Sequence, residues 1–316
     1  MRYLHLDVFT DAPLTGNQLA VFPDGGNLTA DLMQRIALEM AFSETTFAFP
    51  AQAPGTDFRV RIFTPRAELP MAGHPTIGTT FALAQLGRVA RGVASATLGL
   101  GIGPTPVELD WNSDGLKFAW MTQRPPEFGP VLSEHSAIAA ALGVTKDDIA
   151  ETRLPVQVVS CGLPFLFVPL RSRAAVNKAE AETNALRRLF RDVGMDKEGV
   201  FLFSLESGDD DATAFSRMFA PHMGVTEDPA TGSASGPLGC YLVHHGAVPT
   251  EKAVKMISLQ GVRMGRPSRI YISIDMSKGK STKCASAASP LFSAKAICNS
   301  DQNLISLRAC KPEYLL

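Results

Sequence analysis

The chain has 316 residues, a formal net charge of −1 and 45% apolar residues. That length suits two domains, each able to bury its own core. The balanced charge, with no basic stripe, argues against a nucleic-acid partner, and no apolar run is long enough to span a bilayer. Five cysteines, odd in number and unevenly spaced, fit a reduced cytoplasmic chain better than a disulfide framework. No CxxC or other metal-ligand spacing appears, so no metal site is expected. The first residues lack the apolar stretch of a signal peptide.

Along the chain, Tyr3 to Phe9 alternates as a strand does, and residues 10–17 carry turn chemistry. A short strand over 19–22 precedes the turn at 23–26. Thr29 is placed to cap a helix whose stripe holds Leu32, Met33, Ile36 and Met40. Strands follow at 44–49 and 58–63. His74-Pro75 opens an apolar helix to Leu86, with proline where its missing N–H costs little, and Gly87 suits the position after the helix.

Glycine and proline near 99–106 and 123–130 break the middle of the chain, which puts the domain boundary around 115–130. Beyond it the pattern gives a helix near 133–142 and strands near 156–160 and 164–168. A charged amphipathic helix over 178–190 and strands near 200–204 and 212–219 come next. A second apolar helix runs to His245. Pro237 is tolerable there only in the first turn, which starts that helix near 233–235. Strands near 256–259 and 269–274 close the regular pattern. Strands outnumber helices and no glycine-rich dinucleotide turn appears, which argues against a doubly wound parallel sheet.

The chain repeats itself once. RIFTP at 61–65 and RMFAP at 217–221 lie 156 residues apart. ELPMAGH at 68–74 and EDPATGS at 227–233 lie 159 apart, so three residues are inserted between the blocks. Each copy runs into an apolar helix ending in glycine, Gly87 and Gly246, again 159 apart. Such a long period implies two similar domains, not a solenoid. Each domain then presents a polar turn at a helix mouth, and mouths facing one another would enclose one cleft.

Helix mouths suit anions, because free N–H groups and the positive dipole end meet there. In the second mouth Gly232 permits a tight turn, and Thr231 and Ser233 are capping types. A capped helix holding no ligand would look the same. In the first mouth Gly73 places His74 at the cap position, where the dipole disfavours imidazolium. A neutral ring there can donate or accept a hydrogen bond to substrate, or simply cap the helix. Glu44 stands among apolar neighbours at a helix–strand junction. A partly buried carboxylate is a usable proton carrier, although an exposed edge glutamate would fit the same letters. Asp228 is a second candidate carboxylate. No cysteine lies at either mouth, so a two-thiol racemisation has no residues to run it.

The motifs DVFT (7–10), GNQ (16–18), AVF (20–22), SETTF (43–47), RIFTP (61–65), AGHP (72–75), EDPATGSA (227–234) and MGRPS (264–268) together resemble the PhzF family. These are the phenazine-biosynthesis isomerase and its relatives, related to diaminopimelate epimerase. The resemblance implies an α+β protein of two pseudo-symmetric epimerase-like domains, each a mostly antiparallel sheet or barrel around a central helix. The expected spans are 1–120 and 121–275, with a divergent tail at 276–316 that returns to the first domain if the family pattern holds. The resemblance also implies a cofactor-free isomerase, usually a homodimer, acting on a small carboxylate-bearing molecule in the interdomain cleft. Glu44 takes the family's proton-shuttling position. His74 and Asp228 take proton-handling positions, and Gly73, Thr231, Gly232 and Ser233 line the substrate. An amino-acid racemase and a catalytically silent binding protein remain alternatives. From about Ser277 the chain departs from the family's β-rich ending. Residues 281–296 lack clear alternation, so the tail is expected to be loosely attached.

Overall fold

The computed structural model describes residues 1–192, 194, 199–221, 224–253, 255–277, 280–288, 291–297 and 308–309. The chain forms two compact units, Met1–Met121 with Ala287–Leu316, and Thr122–Ser286.

The first unit opens with β1 (Arg2–Val8), β2 (Asn17–Phe22), α1 (Ala30–Met40), β3 (Glu44–Pro50), β4 (Phe58–Phe63) and β5 (Glu68–Leu69). It continues with α2 (Gly73–Gln85), β6 (Ser95–Leu100), β7 (Gly103–Asn112) and β8 (Gly115–Gln123). Thr29 caps α1 as expected, its hydroxyl accepting from the Leu32 N–H. β1 pairs antiparallel with β2, β2 parallel with β3, β3 antiparallel with β4, and β4 parallel with β6. β7 and β8 extend this curled sheet antiparallel.

Both faces of the sheet are covered, so its central strands read as apolar runs. On one face Tyr3, Phe22 and Phe47 stack in sequence, Phe63 meets Phe47 edge to face, and the four pack in one cluster with Met33 and Ile36 of α1. On the other lies α2, buried from Gly73 through Leu83. Gly78 allows that close approach: a Cβ there would stand 2.6 Å from Leu19 Cδ2 and 2.9 Å from Val8 Cγ2. The helix is apolar all round because it is surrounded.

The second unit repeats the scheme. Its elements are β9 (Glu127–Leu132), α3 (His135–Leu142), α4 (Lys146–Ala150), β10 (Val156–Ser160), β11 (Pro164–Pro169), α5 (Arg173–Lys178) and α6 (Thr183–Asp192). Then come β12 (Gly199–Ser204), β13 (Ala214–Ala220), β14 (Val225–Asp228), α7 (Gly232–His244), β15 (Met256–Gln260), β16 (Ser268–Ser277) and β17 (Lys280–Ala288). The pairing order is again antiparallel, parallel, antiparallel, parallel along β10, β11, β12, β13 and β15. α7 is buried from Gly232 through Leu242, the α2 span displaced by 159 residues. Phe167, Phe201 and Phe203 face it, while Leu166, Val168, Val200 and Leu202 face the other way toward α3, α5 and α6.

Four sequence expectations are corrected. The breaks near 99–106 are not a break in the sheet: β6 and β7 run through them as a hairpin turning at Leu100–Gly103. Pro104 and Pro106 fit in β7 because β8 joins only from Val107 onward. The single helix over 178–190 is two. The Glu180 and Glu182 N–H groups donate to Leu142 O and Ala141 O, which breaks the helix after Lys178. α7 starts at Gly232, which puts Pro237 one turn in from the mouth, not in the first turn. Finally, the tail carries strands. β17 covers 280–288, and β18 (Leu291–Ile297) pairs antiparallel with β1, Arg2 opposite Ile297 and Asp7 opposite Leu291. A two-residue strand, β19 (Arg308–Ala309), pairs with β18. Cys298 and Cys310 lie outside the described residues.

Candidate functional site

The first mouth is assembled by three strand and helix starts. Asn17 begins β2, Glu44 begins β3 and lies opposite Leu19 in the parallel register, and His74 is the second residue of α2. Gly16 sets the approach to Asn17. Its φ is +68°, and a Cβ would meet Val8 O at 2.4 Å, so the turn admits glycine alone. The Thr79 hydroxyl donates to Thr46 Oγ1 at 2.9 Å, tying α2 to β3 behind the mouth. The Thr76 hydroxyl turns back to Ala72 O.

His74 is 3% exposed and Asn17 1%. The Asn17 amide nitrogen lies 3.1 Å from His74 Nδ1. With that amide donating, the ring's one proton sits on Nε2, which faces Glu44 Oε2 at 3.5 Å. Burial pushes the His74 pKa down to about 3, and the Gln18 backbone opposes this only in part. The ring is therefore neutral across the physiological range, and the cause is burial, not the helix dipole on which the expectation rested. Beside it stands Glu44, whose side chain is 13% exposed. The cap position expected for His74 is taken by Ala72, which makes no side-chain cap, and Pro75 is the third helical residue, not the first; the Gly73 and His74 N–H groups lie in the uncapped first turn.

In the second mouth, Asp228 ends β14 and is 4% exposed. The Thr231 hydroxyl donates to Asp228 Oδ2 at 2.6 Å. Thr231 is the N-cap residue of α7, yet its side chain makes no capping bond. The Ala234 and Ser235 N–H groups reach Thr231 O. The Gly232 and Ser233 N–H groups make no hydrogen bond to a described residue. Ser233 is 6% exposed in the first turn, and Gly232 O accepts from the Gln123 amide at 2.9 Å.

Of the sequence-predicted residues, Gly73, His74 and Glu44 meet in the first unit, and Asp228, Thr231, Gly232 and Ser233 meet in the second. The reading missed Asn17 and Gln260. Asn17 was visible only as one letter of the GNQ motif. Gln260 lies at a strand end 29 residues beyond Thr231, and no local pattern marks it. Cys161 and Cys240 are buried in the core of the second unit. Among the described residues, no group of three or more His, Cys, Asp or Glu could hold a metal ion, and no helix is long and apolar enough to cross a membrane.

The repeated arginine closes each copy in the same way. Arg61 forks onto Glu68 at 2.7 and 2.6 Å, and Arg217 onto Glu227 at 2.8 and 2.8 Å. Each guanidinium also covers the phenylalanine two residues on, Phe63 at 5.1 Å and Phe219 at 4.6 Å. These bidentate pairs pin the strand that leads into each mouth.

Comparison with known proteins gives the family and the fold. The family profile described as phenazine biosynthesis-like protein matches residues 6–289. The trans-2,3-dihydro-3-hydroxyanthranilate isomerase of Pseudomonas aeruginosa is 38% identical over 270 residues, covering 85% of this chain and 89% of that protein. A PhzF-family phenazine biosynthesis protein of Bacillus anthracis has a solved structure that superposes with a TM-score of 0.81 at 27% identity, covering 93% and 97% of the two chains. A probable proline racemase of Agrobacterium radiobacter shares the fold, with a TM-score of 0.63 at 12% identity over 95% and 93% of the chains.

Proposed function

This chain belongs to the phenazine biosynthesis-like protein family and is an isomerase, and we propose that it moves a proton on a small carboxylate-bearing substrate by acid–base chemistry that needs no cofactor. The observation that carries this reading is the pairing of Glu44 with a neutral, buried His74 at an uncapped helix mouth. Glu44 as carboxylate takes a proton from a substrate carbon. The electron pair left behind shifts through the adjoining double bond, and the Glu44 acid returns the proton at a second carbon. The bond count and the formula are unchanged. His74, neutral and with its Nε2 proton on the same side, steadies the charge that develops on substrate without competing for the proton.

The second mouth supplies the remaining groups in this proposal. Asp228 handles a proton on a substrate heteroatom. The Gly232 and Ser233 N–H groups, with Gly73 and Thr231, hold the substrate's polar groups. The equivalence of α2 and α7, residue for residue at 159, supports two mouths serving one interdomain site. The absence of a cysteine from either mouth weighs against a two-thiol racemase.

The Pseudomonas aeruginosa relative is named for trans-2,3-dihydro-3-hydroxyanthranilate, a carboxylate-bearing ring compound, and this is the first substrate to assay. In deuterium oxide the enzyme should convert it and place solvent deuterium on a ring carbon, as read by NMR. A wider panel of cyclic amino and imino acids follows if it is inert. Saturable binding without isomerisation or exchange across the panel would favour the silent binding protein. Sedimentation would test the proposed homodimer.

A further inference from the structure

Gln260 ends β15 and is fully buried. Among the described residues its side chain makes three hydrogen bonds, all to the turn that carries Asp228. Its Oε1 accepts from the Thr231 N–H at 3.0 Å, and its Nε2 donates to Asp228 O at 2.7 Å and to Thr231 Oγ1 at 3.0 Å.

The last of these bonds has a direction. An amide nitrogen can only donate, so Thr231 Oγ1 must accept from it. The single hydroxyl proton of Thr231 is then left to donate elsewhere, and it goes to Asp228 Oδ2 at 2.6 Å. Two consequences follow at the mouth. Asp228 is held as a hydrogen-bond acceptor in one orientation. Thr231, although a capping residue type, is turned away from the helix it begins, and the Gly232 and Ser233 N–H groups stay open. The first mouth has no equivalent side chain: there the turn is held by the Ile102 N–H donating to Pro70 O, and Gly101 packs on Pro70 without any side chain.

We infer that Gln260 is a positioning residue for the reaction, acting through Thr231 to fix the direction of hydrogen bonding onto Asp228 and to keep the mouth of α7 uncapped. The inference rests on the reading of Asp228 as part of the site.

The decisive variant is Gln260→Glu, which keeps the shape and replaces the donor with an acceptor. The Thr231 hydroxyl then donates to the new carboxylate, and Asp228 loses the hydrogen bond from Thr231. Gln260→Met, which removes both functions while filling the space, guards against misfolding of the first. Turnover should fall by roughly 10- to 100-fold in each folded variant, the scale of one hydrogen bond to a charged group. Both should give the parent enzyme's circular dichroism spectrum and unfold cooperatively as it does. Thr231→Val should cost a similar factor, and the Gln260→Met, Thr231→Val double variant no more than the worse single one, because both act through one bond. A crystal structure of Gln260→Met should show the Thr231 hydroxyl swung onto a helix N–H.

Failure can be assigned. If Asp228→Asn leaves turnover and binding of a product analogue intact, the reading of the site fails first. If Asp228→Asn abolishes turnover while Gln260→Glu and Gln260→Met keep it, or if the two losses simply multiply in the double variant, the role given to Gln260 is wrong.

Discussion

His74 Nε2 and Glu44 Oε2 stand 3.5 Å apart at the start of α2, a neutral ring beside a carboxyl group, each shielded from solvent. A buried charged pair would hold the carboxylate in place and spend its basicity on the partner. A neutral imidazole leaves the carboxylate available to a substrate proton. Glu44→Gln keeps the shape and removes the base, so turnover should fall by roughly 100-fold or more. Binding of a substrate analogue should change far less. Full turnover in Glu44→Gln would transfer the base role to Asp228.

The same burial ties His74 to stability. Its folded pKa, about 3, lies below the ordinary value of 6.5. The unfolded chain therefore takes up a proton as pH falls below 6.5, while the native chain does not until near 3. The unfolded state binds more protons in that window, so stability falls as pH falls. The slope from one such group approaches about 1.4 kcal/mol per pH unit well below the unfolded pKa. His245, also lowered by burial and by His244, contributes with the same sign. Urea unfolding between pH 7 and 5 should show a steeper loss in the parent than in His74→Gln, which removes only the first contribution. Parallel pH dependences in the two proteins would mean that His74 is not held neutral.

Much of this was legible in letters, for identifiable reasons. The RxFxP blocks announced the duplicated fold because an arginine fork and a stacked phenylalanine have to recur together to pin two equivalent strands. Gly87 and Gly246 ended the helices because both need positive φ, +68° and +66°. The hairpin of β6 and β7 was hidden by Pro104 and Pro106, whose tolerance depends on where β8 stops, a tertiary fact. The split of the 178–190 helix depended on carbonyls of α3, forty residues upstream, which no local pattern carries. Gln260 was invisible for the same reason: its partners are 29 and 32 residues away.

The tail strand is the expectation most plainly reversed, and its place explains why. β18 pairs with β1 just as β9 pairs with β10, which opens the same pairing order in the second unit, so each has an antiparallel neighbour there. Without β18, β1 becomes an edge strand carrying Leu4, Leu6 and Val8 in its run. A chain ending at residue 288 should unfold at lower temperature than the full chain and aggregate on heating. Amides of residues 3–7 should lose hydrogen-exchange protection. Unchanged protection of those amides would show that β1 does not depend on β18.

Arg61 and Arg217 make the same fork but should differ sharply in what they contribute. Arg217 is 5% exposed, and its remaining nitrogen, Nη1, donates to Val176 O, Asn177 O and Ala179 O at the end of α5. Its removal leaves Glu227 and those carbonyls without their donor inside the unit. Arg61 has a more open pair, with side-chain exposures of 17% for itself and 43% for Glu68, and water can replace it. Arg217→Met should therefore cost on the order of 3–5 kcal/mol, the scale for breaking a buried, hydrogen-bonded ion pair. Arg61→Met should cost about 1 kcal/mol or less. Equilibrium denaturation of the two variants against the parent checks this ordering. Equal losses would mean that the fork onto glutamate, common to both, sets the stability, and that the carbonyls of α5 add nothing to it.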